Sequence, residues 1–246
     1  MVNDLEYLSE FQAVLQNYHI SEVGKKLLAK TKLVLLAGPS SSGRNTIINA
    51  LKEGGGYHAI VSDTTRAPRV NNGVPEKDGV EYWFRTEQEI LSGLRSGNFL
   101  EAAIIHDQQV SGISLRELEK AQQEGKIAVN EIETVGMHNI IRVKPDVFAF
   151  FVVPPSFSVW MERMDSRGKM PELEKRRRLS SAVKEFDAAL ANDYYRYIVN
   201  DSFDHSVKYI DDCIAGDCFD EKRQLAGQSV IQNLLTETNM YLNTVK

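Results

Sequence analysis

The residues from Gly38 to Thr46 have the types and spacing of a loop that binds phosphate groups. In such a loop, glycines let backbone N–H groups turn inward, and the helix that follows adds positive potential at its N-terminus. The usual pattern is G-x-x-x-x-G-K-[ST]. Here Arg44 replaces the lysine and Asn45 replaces the Ser/Thr. The loop reads Gly38-Pro39-Ser40-Ser41-Ser42-Gly43-Arg44-Asn45-Thr46. The pattern predicts a polyphosphate site with a guanidinium as its cation; a plain Gly/Ser turn is the alternative.

The flanking sequence predicts the elements that position this loop. The apolar run 32–37 predicts a buried parallel strand, and 44–52 predicts a helix. Further strands are predicted near 58–62, 80–85, 99–105, 127–133, 147–153 and 197–199, and helices near 86–96, 114–123, 156–167 and 172–192. This alternation predicts an α/β fold, with a parallel sheet sandwiched by helices as in P-loop NTPases.

Both ends of the chain are predicted to be helical extensions, over residues 1–30 and 211–246. In the first extension, Leu8, Phe11, Leu15 and Tyr18 recur at helical spacing and so share one face. Such apolar faces pack either on the core of the same chain or against a second copy in a homodimer. The sequence leaves both open.

Composition and charge exclude several classes of partner. The chain has 246 residues and a net charge of −5, which argues against general binding of nucleic acid or of a membrane surface. The first residues contain no apolar signal core. The two cysteines, Cys213 and Cys218, form neither a disulfide framework nor a zinc site, so reduced thiols and a cytoplasmic location are expected.

Further motifs occur in a fixed order after the loop. They are Ser62-Asp63-Thr64-Thr65-Arg66-Ala67-Pro68-Arg69, Glu76-Lys77-Asp78-Gly79-Val80-Glu81-Tyr82-Trp83-Phe84, Gly97-Asn98-Phe99-Leu100-Glu101, Pro154-Pro155-Ser156, Arg163, Arg167-Gly168, Arg178-Leu179 and Val199-Asn200-Asp201. With these motifs the chain resembles the guanylate kinases over residues 31–210. The resemblance implies a small lobe near 62–112 that binds a nucleoside monophosphate, and a lid near 163–180.

The resemblance also implies an acceptor site for GMP. Arg66 and Arg69 are expected to clamp its phosphate, because bidentate guanidinium bonds fix orientation. Glu101 is expected to read the base, since a carboxylate accepts from both N1 and N2 of guanine. The full expected acceptor set is Ser62, Arg66, Arg69, Glu76, Tyr82, Glu101, Ser111 and Glu133.

The donor side implied by the resemblance binds ATP and Mg²⁺. The expected ATP contacts are Gly38, Pro39, Ser40, Ser41, Ser42, Gly43, Arg44, Asn45, Thr46 and Asn200. Catalytic charge is expected from Arg44, Arg163, Arg167 and Arg178. Asn45 and Glu131 are the expected Mg²⁺ ligands. Glu131 and Glu133, two apart on the predicted strand 127–133, would point to the same face.

The sequence also departs from the family pattern. The spacer from Val70 to Pro75 is longer than usual, and Ile113 replaces a hydroxyl residue that helps to read guanine. Three functions follow, in order of preference. The first is an active ATP-dependent kinase for GMP or dGMP. The second is a binding module that keeps the acceptor pocket and has lost turnover, and the third is a kinase for another nucleoside monophosphate.

Overall fold

The computed structural model describes residues 5–71, 73–105, 107–166, 170–216 and 220–244. Its helices are α1 (Leu8–Gln16), α2 (Glu22–Lys30), α3 (Arg44–Glu53), α4 (Glu87–Arg95), α5 (Leu115–Gln123), α6 (Thr134–Val143), α7 (Phe157–Asp165), α8 (Glu172–Leu190), α9 (Phe203–Ala215) and α10 (Glu221–Thr244). Its strands are β1 (Leu33–Ala37), β2 (Tyr57–Ala59), β3 (Asp63–Thr64), β4 (Val70–Asn71), β5 (Val74–Pro75), β6 (Trp83–Phe84), β7 (Phe99–Ile105), β8 (Gln109–Ser114), β9 (Ile127–Glu131), β10 (Phe148–Val153) and β11 (Arg196–Val199).

The central sheet has the strand order β11-β10-β1-β9-β2, and β1, β10 and β11 pair in parallel, as do β2 and β9. All five residues of β1 are buried, as expected for a strand covered on both faces. The chain therefore has the predicted α/β fold, with a parallel sheet flanked by helices. Within the described ranges, no helix is long and apolar enough to cross a membrane.

The chain divides into two compact units. The first comprises residues 1–33, 56–130 and 138–147, as far as they are described. It contains the β2–β9 pair and a second sheet with the strand order β6-β3-β8-β7. In this unit α1 packs on α4 and β7, and α2 packs on α5.

The N-terminal helix completes the apolar core of the first unit. Phe11 of α1 is fully buried, and it clusters with Leu5. Their partners are Ile90, Leu91, Leu94, Phe99 and Val110. At the rates typical for buried apolar side chains, each large residue contributes about 2 kcal/mol of folding free energy. The apolar face predicted for the N-terminal extension therefore packs on its own chain.

The second unit comprises residues 34–55, 131–137 and 148–246, as far as they are described. Its core is aromatic: Phe151 on β10 packs edge-on against Phe186 of α8 and against Tyr195, and Phe186 also meets Trp160 of α7. Helix α10 packs on α8 and β11. The second terminal extension is thus part of this unit's fold.

Several elements differ from the sequence-based expectation. Helix α6 was not predicted, because Thr134, Val135 and Gly136 at its start are poor helix formers. The strand expected over 58–62 is shorter: β2 ends at Ala59, and a separate strand, β3, begins at Asp63 in the other sheet. Cys213 is disulfide-bonded, so the expectation of a reduced thiol is wrong there.

Candidate active site

The phosphate loop has a backbone that only glycine permits at two positions. Gly38 has a φ of +136°, and a Cβ there would lie 2.1 Å from the carbonyl oxygen of Val152. Gly43, the N-cap of α3, has a φ of +100°, and a Cβ there would lie 2.2 Å from Asn200 Nδ2. Both glycines are therefore required by the close approach of neighbouring atoms as well as by their conformation.

Bonds from distant residues hold the carbonyl oxygens of the loop. Trp160 Nε1 donates to the Ser40 carbonyl at 2.8 Å, and Asn200 Nδ2 donates to the Ser42 carbonyl at 2.8 Å. Asn200 is buried, so its amide supports the loop. The expected contact of Asn200 with the adenine of ATP stays a prediction.

Two hydroxyl groups of the loop are buried without a hydrogen-bond partner in the described part of the chain. They are the Oγ atoms of Ser41 and Ser42. A buried polar group without a partner costs about 1–3 kcal/mol. Phosphate oxygens accept hydrogen bonds from hydroxyls, so a polyphosphate fits these two groups. Ser41 also has a positive φ of 66°, a conformation that is uncommon for a residue other than glycine.

Two of the expected catalytic arginines contact this loop. Arg163 donates from Nη2 to the Asn200 carbonyl at 2.9 Å and from Nη1 to the Ser42 carbonyl at 3.4 Å. Arg178 donates from Nη1 to Ser40 Oγ at 3.1 Å and from Nε to Glu174 at 2.9 Å. Arg167 lies outside the described residues. The loop thus has two guanidinium groups beside it.

Arg44, at the lysine position of the loop motif, pairs with an acid. Its Nε lies 3.5 Å from a carboxylate oxygen of Glu131. Asn45 and Thr46 are exposed. Among the described residues, no group of three or more His, Cys, Asp or Glu could hold a metal ion. Glu131, which was expected to bind Mg²⁺, forms an ion pair with Arg44 in this structure.

The strand predicted over 127–133 is shorter than expected. Strand β9 ends at Glu131, and Glu133 precedes α6, where its carbonyl accepts from Met137 N at 2.9 Å. That Glu131 and Glu133 point to the same face stays a prediction. Both side chains are exposed.

Glu185 on α8 is a titratable group that the sequence analysis missed. Burial raises its pKa to about 7; the charge of Arg44 lowers it, and that of Glu133 raises it further. Glu185 is half-buried, and a carboxylate with a shifted pKa near an arginine of the phosphate loop is typical of functional sites. Its spacing of seven residues from Arg178 on the same helix was the available signal, since residues about two turns apart share a face.

In the first unit, Arg66 is held in place by Glu76. The two form a bidentate pair with N–O distances of 2.5 and 2.9 Å, and Glu76 also accepts from the backbone N–H of Arg69 at 2.8 Å. Hydrogen bonding from Arg66 lowers the Glu76 pKa to about 2. The Arg66 guanidinium stacks 4.6 Å above the ring of Tyr82. The Arg69 side chain is exposed.

Strand register gathers two residues of the expected acceptor site, Glu101 and Ser111, on one face of the four-stranded sheet. Thr64 pairs with Ser111, and Glu101 pairs with Ile113. Paired residues share a face, and so do residues two apart on a strand. Glu101, Ser111 and Thr64 therefore lie together. Ser62 precedes Thr64 by two residues. The hydroxyl of Ser111 donates to Thr64 Oγ1 at 2.9 Å.

Glu117 is a buried acid that holds the backbone next to Ser62, and the sequence analysis did not identify this residue. It is buried, and it accepts from His58 Nε2 at 2.9 Å, Val61 N at 3.0 Å and Trp83 Nε1 at 3.0 Å. Burial opposes ionisation, but these donors lower the Glu117 pKa overall. Val61 directly precedes Ser62. Glu117 thus fixes the backbone that presents Ser62, and no local sequence signal marks it, because its partners are distant in the chain.

Comparison with known proteins places these features in one family. The guanylate kinase family model matches residues 30–216. The guanylate kinase of Corynebacterium glutamicum is 36% identical over 187 residues, covering 75% of this chain and 95% of the relative. That of Methylobacillus flagellatus is 30% identical over 208 residues, covering 84% of this chain and 100% of the relative.

A solved structure agrees with these matches. The crystal structure of guanylate kinase from Anaplasma phagocytophilum superposes with a TM-score of 0.55 at 26% identity, covering 84% of this chain and 94% of that one. The phosphate loop, the pair of Arg66 and Glu76 and this extent of matching sequence support the same assignment. The chain belongs to the guanylate kinase family.

Proposed function

We propose that this chain transfers the γ-phosphoryl group of ATP to GMP or dGMP, giving ADP and GDP or dGDP. The proposal rests on the hydrogen bonding of the phosphate loop at residues 38–46. Two of its buried hydroxyls have no partner in the described chain, and Arg163 and Arg178 both contact it. A module that only binds the acceptor needs neither feature.

On the donor side, the loop would hold the polyphosphate of ATP. The backbone N–H groups of residues 38–46 and the hydroxyls of Ser41 and Ser42 would bind its oxygens. Arg178 already bonds to the loop through Ser40, so it needs only to exchange that hydroxyl for a phosphate oxygen. Phosphoryl transfer depends mainly on alignment and on positive charge at the transferred group.

Mg²⁺ in kinases is held by one or two carboxylates together with phosphate oxygens and water, so a cage of three protein ligands is not required. Glu131 is the carboxylate that fits this role, with Asn45 offering a neutral oxygen. When bound, the ion would offset charge on the β- and γ-phosphates. Release of Glu131 from Arg44 would free both the acid and the guanidinium for these partners.

On the acceptor side, Arg66, Arg69 and Tyr82 would bind the monophosphate. Glu76 holds Arg66 in a fixed orientation, which lowers the entropic cost of forming bidentate bonds to phosphate. Ser62, Glu101 and Ser111 would contact the base. An oxygen of the acceptor phosphate forms a bond to the γ-phosphorus, and the bond from that phosphorus to the ADP oxygen breaks.

One observation favours the second candidate, a nucleotide-binding module without turnover. Arg44 forms an ion pair with Glu131, and this pair would have to open before either residue could serve ATP or Mg²⁺. An arginine is also longer and flatter than the usual lysine. If the pair persisted with nucleotide bound, the loop would bind phosphate and catalysis would be slow.

A coupled assay that measures ADP formation distinguishes these functions. The protein is given ATP and Mg²⁺ with GMP, dGMP, IMP or AMP, and binding of each nucleotide is measured separately by calorimetry. Turnover with GMP and dGMP is expected. Binding of GMP without turnover would support the module, and turnover only with AMP would move the acceptor to another base.

A further inference from the structure

Tyr18 lies in the N-terminal segment that precedes the family match. Its hydroxyl is hydrogen-bonded to both backbone polar groups of Phe99 in strand β7, a pair of bonds that we call the bracket. Its hydroxyl accepts a hydrogen bond from Phe99 N at 2.8 Å and donates one to Phe99 O at 2.5 Å. Strand β7 is the last strand in its sheet. Among the residues that the structure describes, no strand lies beside the outward N–H and C=O of Phe99, and the phenol satisfies both.

The bracketed residue stands at the start of a β-bulge. Phe99 pairs with Ser114, whereas Glu101 pairs with Ile113, so two steps along β7 match one step along β8. In a regular strand Phe99 and Glu101 would face the same side. The extra residue puts Phe99 into the apolar cluster with α1 and α4, and turns Glu101 to the face that holds Ser111.

A bulge interrupts the ladder, so its position depends on other anchors. The ring of Phe99 is confined by two glycines, where an added Cβ would lie 2.7 Å from the ring at Gly93 and 3.0 Å from it at Gly112. Its peptide is confined by Tyr18. The segment after Tyr18 is fixed as well, since Ser21 N donates to the Gly97 carbonyl at 3.0 Å.

The Tyr18 hydroxyl keeps its proton under all ordinary conditions. Burial raises its pKa to about 12, although the bond to Phe99 lowers it. A neutral phenol can donate and accept at the same time, whereas a phenolate can only accept. The bracket on Phe99 is therefore insensitive to pH in the working range of an enzyme.

We propose that Tyr18 is a positioning residue for recognition of the acceptor base: by fixing the Phe99 peptide at the bulge, it sets where the Glu101 carboxylate meets a purine that carries an N1 hydrogen and a 2-amino group. The inference rests on the proposed function, in which Glu101 reads guanine. It makes the N-terminal extension a contributor to specificity.

The test compares Tyr18→Phe with Tyr7→Phe in the full chain. Both changes remove one hydroxyl from a tyrosine that packs on the same apolar cluster. The Tyr7 hydroxyl accepts a hydrogen bond from the side chain of Gln88 at 2.8 Å. For Tyr18→Phe the KM for GMP should rise about 3- to 10-fold, because loss of the hydrogen bonds to Phe99 lets the bulge leave the geometry that presents Glu101 to the base. The KM for ATP should stay unchanged.

Base selectivity separates positioning from a general loss of stability. IMP lacks the 2-amino group, so the ratio of kcat/KM for GMP over IMP should fall in Tyr18→Phe and stay constant in Tyr7→Phe. In a Glu101→Gln background, Tyr18→Phe should change this ratio no further. Amide hydrogen exchange over residues 97–103 should be faster in Tyr18→Phe, which reports on the bulge without any assay of activity.

The outcomes are distinct. If the unaltered chain neither binds nor phosphorylates GMP, the proposed function fails and this inference fails with it. If the unaltered chain binds GMP and Tyr18→Phe keeps its selectivity and its exchange rates, the inference alone is overturned. Equal changes in Tyr7→Phe and Tyr18→Phe, or parallel rises in the KM for ATP and GMP, would reduce Tyr18 to a structural role and also overturn it.

Discussion

The side-chain amide of Asn200 donates to the carbonyl oxygen of Ser42 over 2.8 Å, and so joins the end of β11 to the phosphate loop. The bond is possible because residue 43 has no side chain. A Cβ at Gly43 would lie 2.2 Å from the donating nitrogen. The geometry of the loop and the position of Asn200 therefore depend on each other.

Gly43→Ala should disrupt the donor site. It combines a strained φ of +100° with a clash against Asn200, and we expect a loss of about 3 kcal/mol in unfolding free energy together with loss of ATP binding. Gly125→Ala is the matched control, since Gly125 has a φ of +65° and open space around it. It should cost about 1 kcal/mol and leave ATP binding intact. Urea unfolding measures the unfolding free energy of each variant, and calorimetry measures its binding of ATP. Equal losses in Gly43→Ala and Gly125→Ala would contradict the role of the close contact with Asn200.

Arg44→Lys should preserve or raise kcat. A lysine is compact and suits the phosphate loop, and it would hold Glu131 less firmly than a guanidinium. Arg44→Met, which keeps length and removes charge, should lower kcat about 100-fold or more. The coupled assay with ATP and GMP provides both values. A lysine variant as slow as the methionine variant would show that the guanidinium itself is needed.

Arg66→Ala should weaken the acceptor site alone. The KM for GMP is expected to rise about 10- to 100-fold, because the proposed bidentate bonds to the acceptor phosphate from a guanidinium that Glu76 orients would be lost. The KM for ATP should hardly change. Arg95→Ala removes an exposed arginine that pairs with Glu10 in the same unit, and it should leave both constants as they are. Equal increases for ATP and GMP would contradict the assignment of Arg66.

Glu185→Gln should change how stability depends on pH. The pKa of Glu185 is raised from 4.5 to about 7 in the folded chain, so the folded state holds a proton that the unfolded state releases. Stability from this group is full below pH 4.5 and is lost as the pH rises through about 7. At pH 8 the glutamine variant should therefore be more stable than the unaltered chain, by about 1 to 2 kcal/mol after allowance for screening.

Urea unfolding at pH 5 and pH 8 measures this effect. At pH 5 the two proteins should differ little, since Glu185 is then largely protonated when folded. Asp187→Asn, an exposed acid two residues away on α8, should show no such pH dependence. A difference of the same size at both pH values would mean that burial does not raise the pKa of Glu185.

The sequence predicted the donor loop well because its signals are local. An apolar strand, two glycines and a helix follow each other within about twenty residues, and β1, the loop and α3 form as expected. The face of the four-stranded sheet that carries Glu101 was harder to predict from the sequence. A one-residue bulge in β7 decides which way Glu101 points, and bulges leave no reliable mark in a single sequence.

Burial of charge was also beyond reach from the sequence. Glu117 is hydrogen-bonded to His58, which lies 59 residues earlier in the sequence. The residues next to Glu117 in the sequence do not indicate that its carboxylate is buried. Glu185 looks like one more polar residue of a charged helix, and only packing in the folded chain withdraws it from water. The strand predicted to reach Glu133 ends at Glu131 for a similar reason, since the end of a strand is set by its partners.

The burial of Phe11 and Leu5 has a consequence for any attempt to work with a shorter piece of this protein. The region that matches the family model starts at residue 30. A fragment that begins there would expose Ile90, Leu94 and Val110 to solvent. It would also leave the outer edge of β7 open to pairing with other molecules. Such a fragment should self-associate. We therefore expect the smallest piece that folds by itself to include α1 in addition to the residues that match the family.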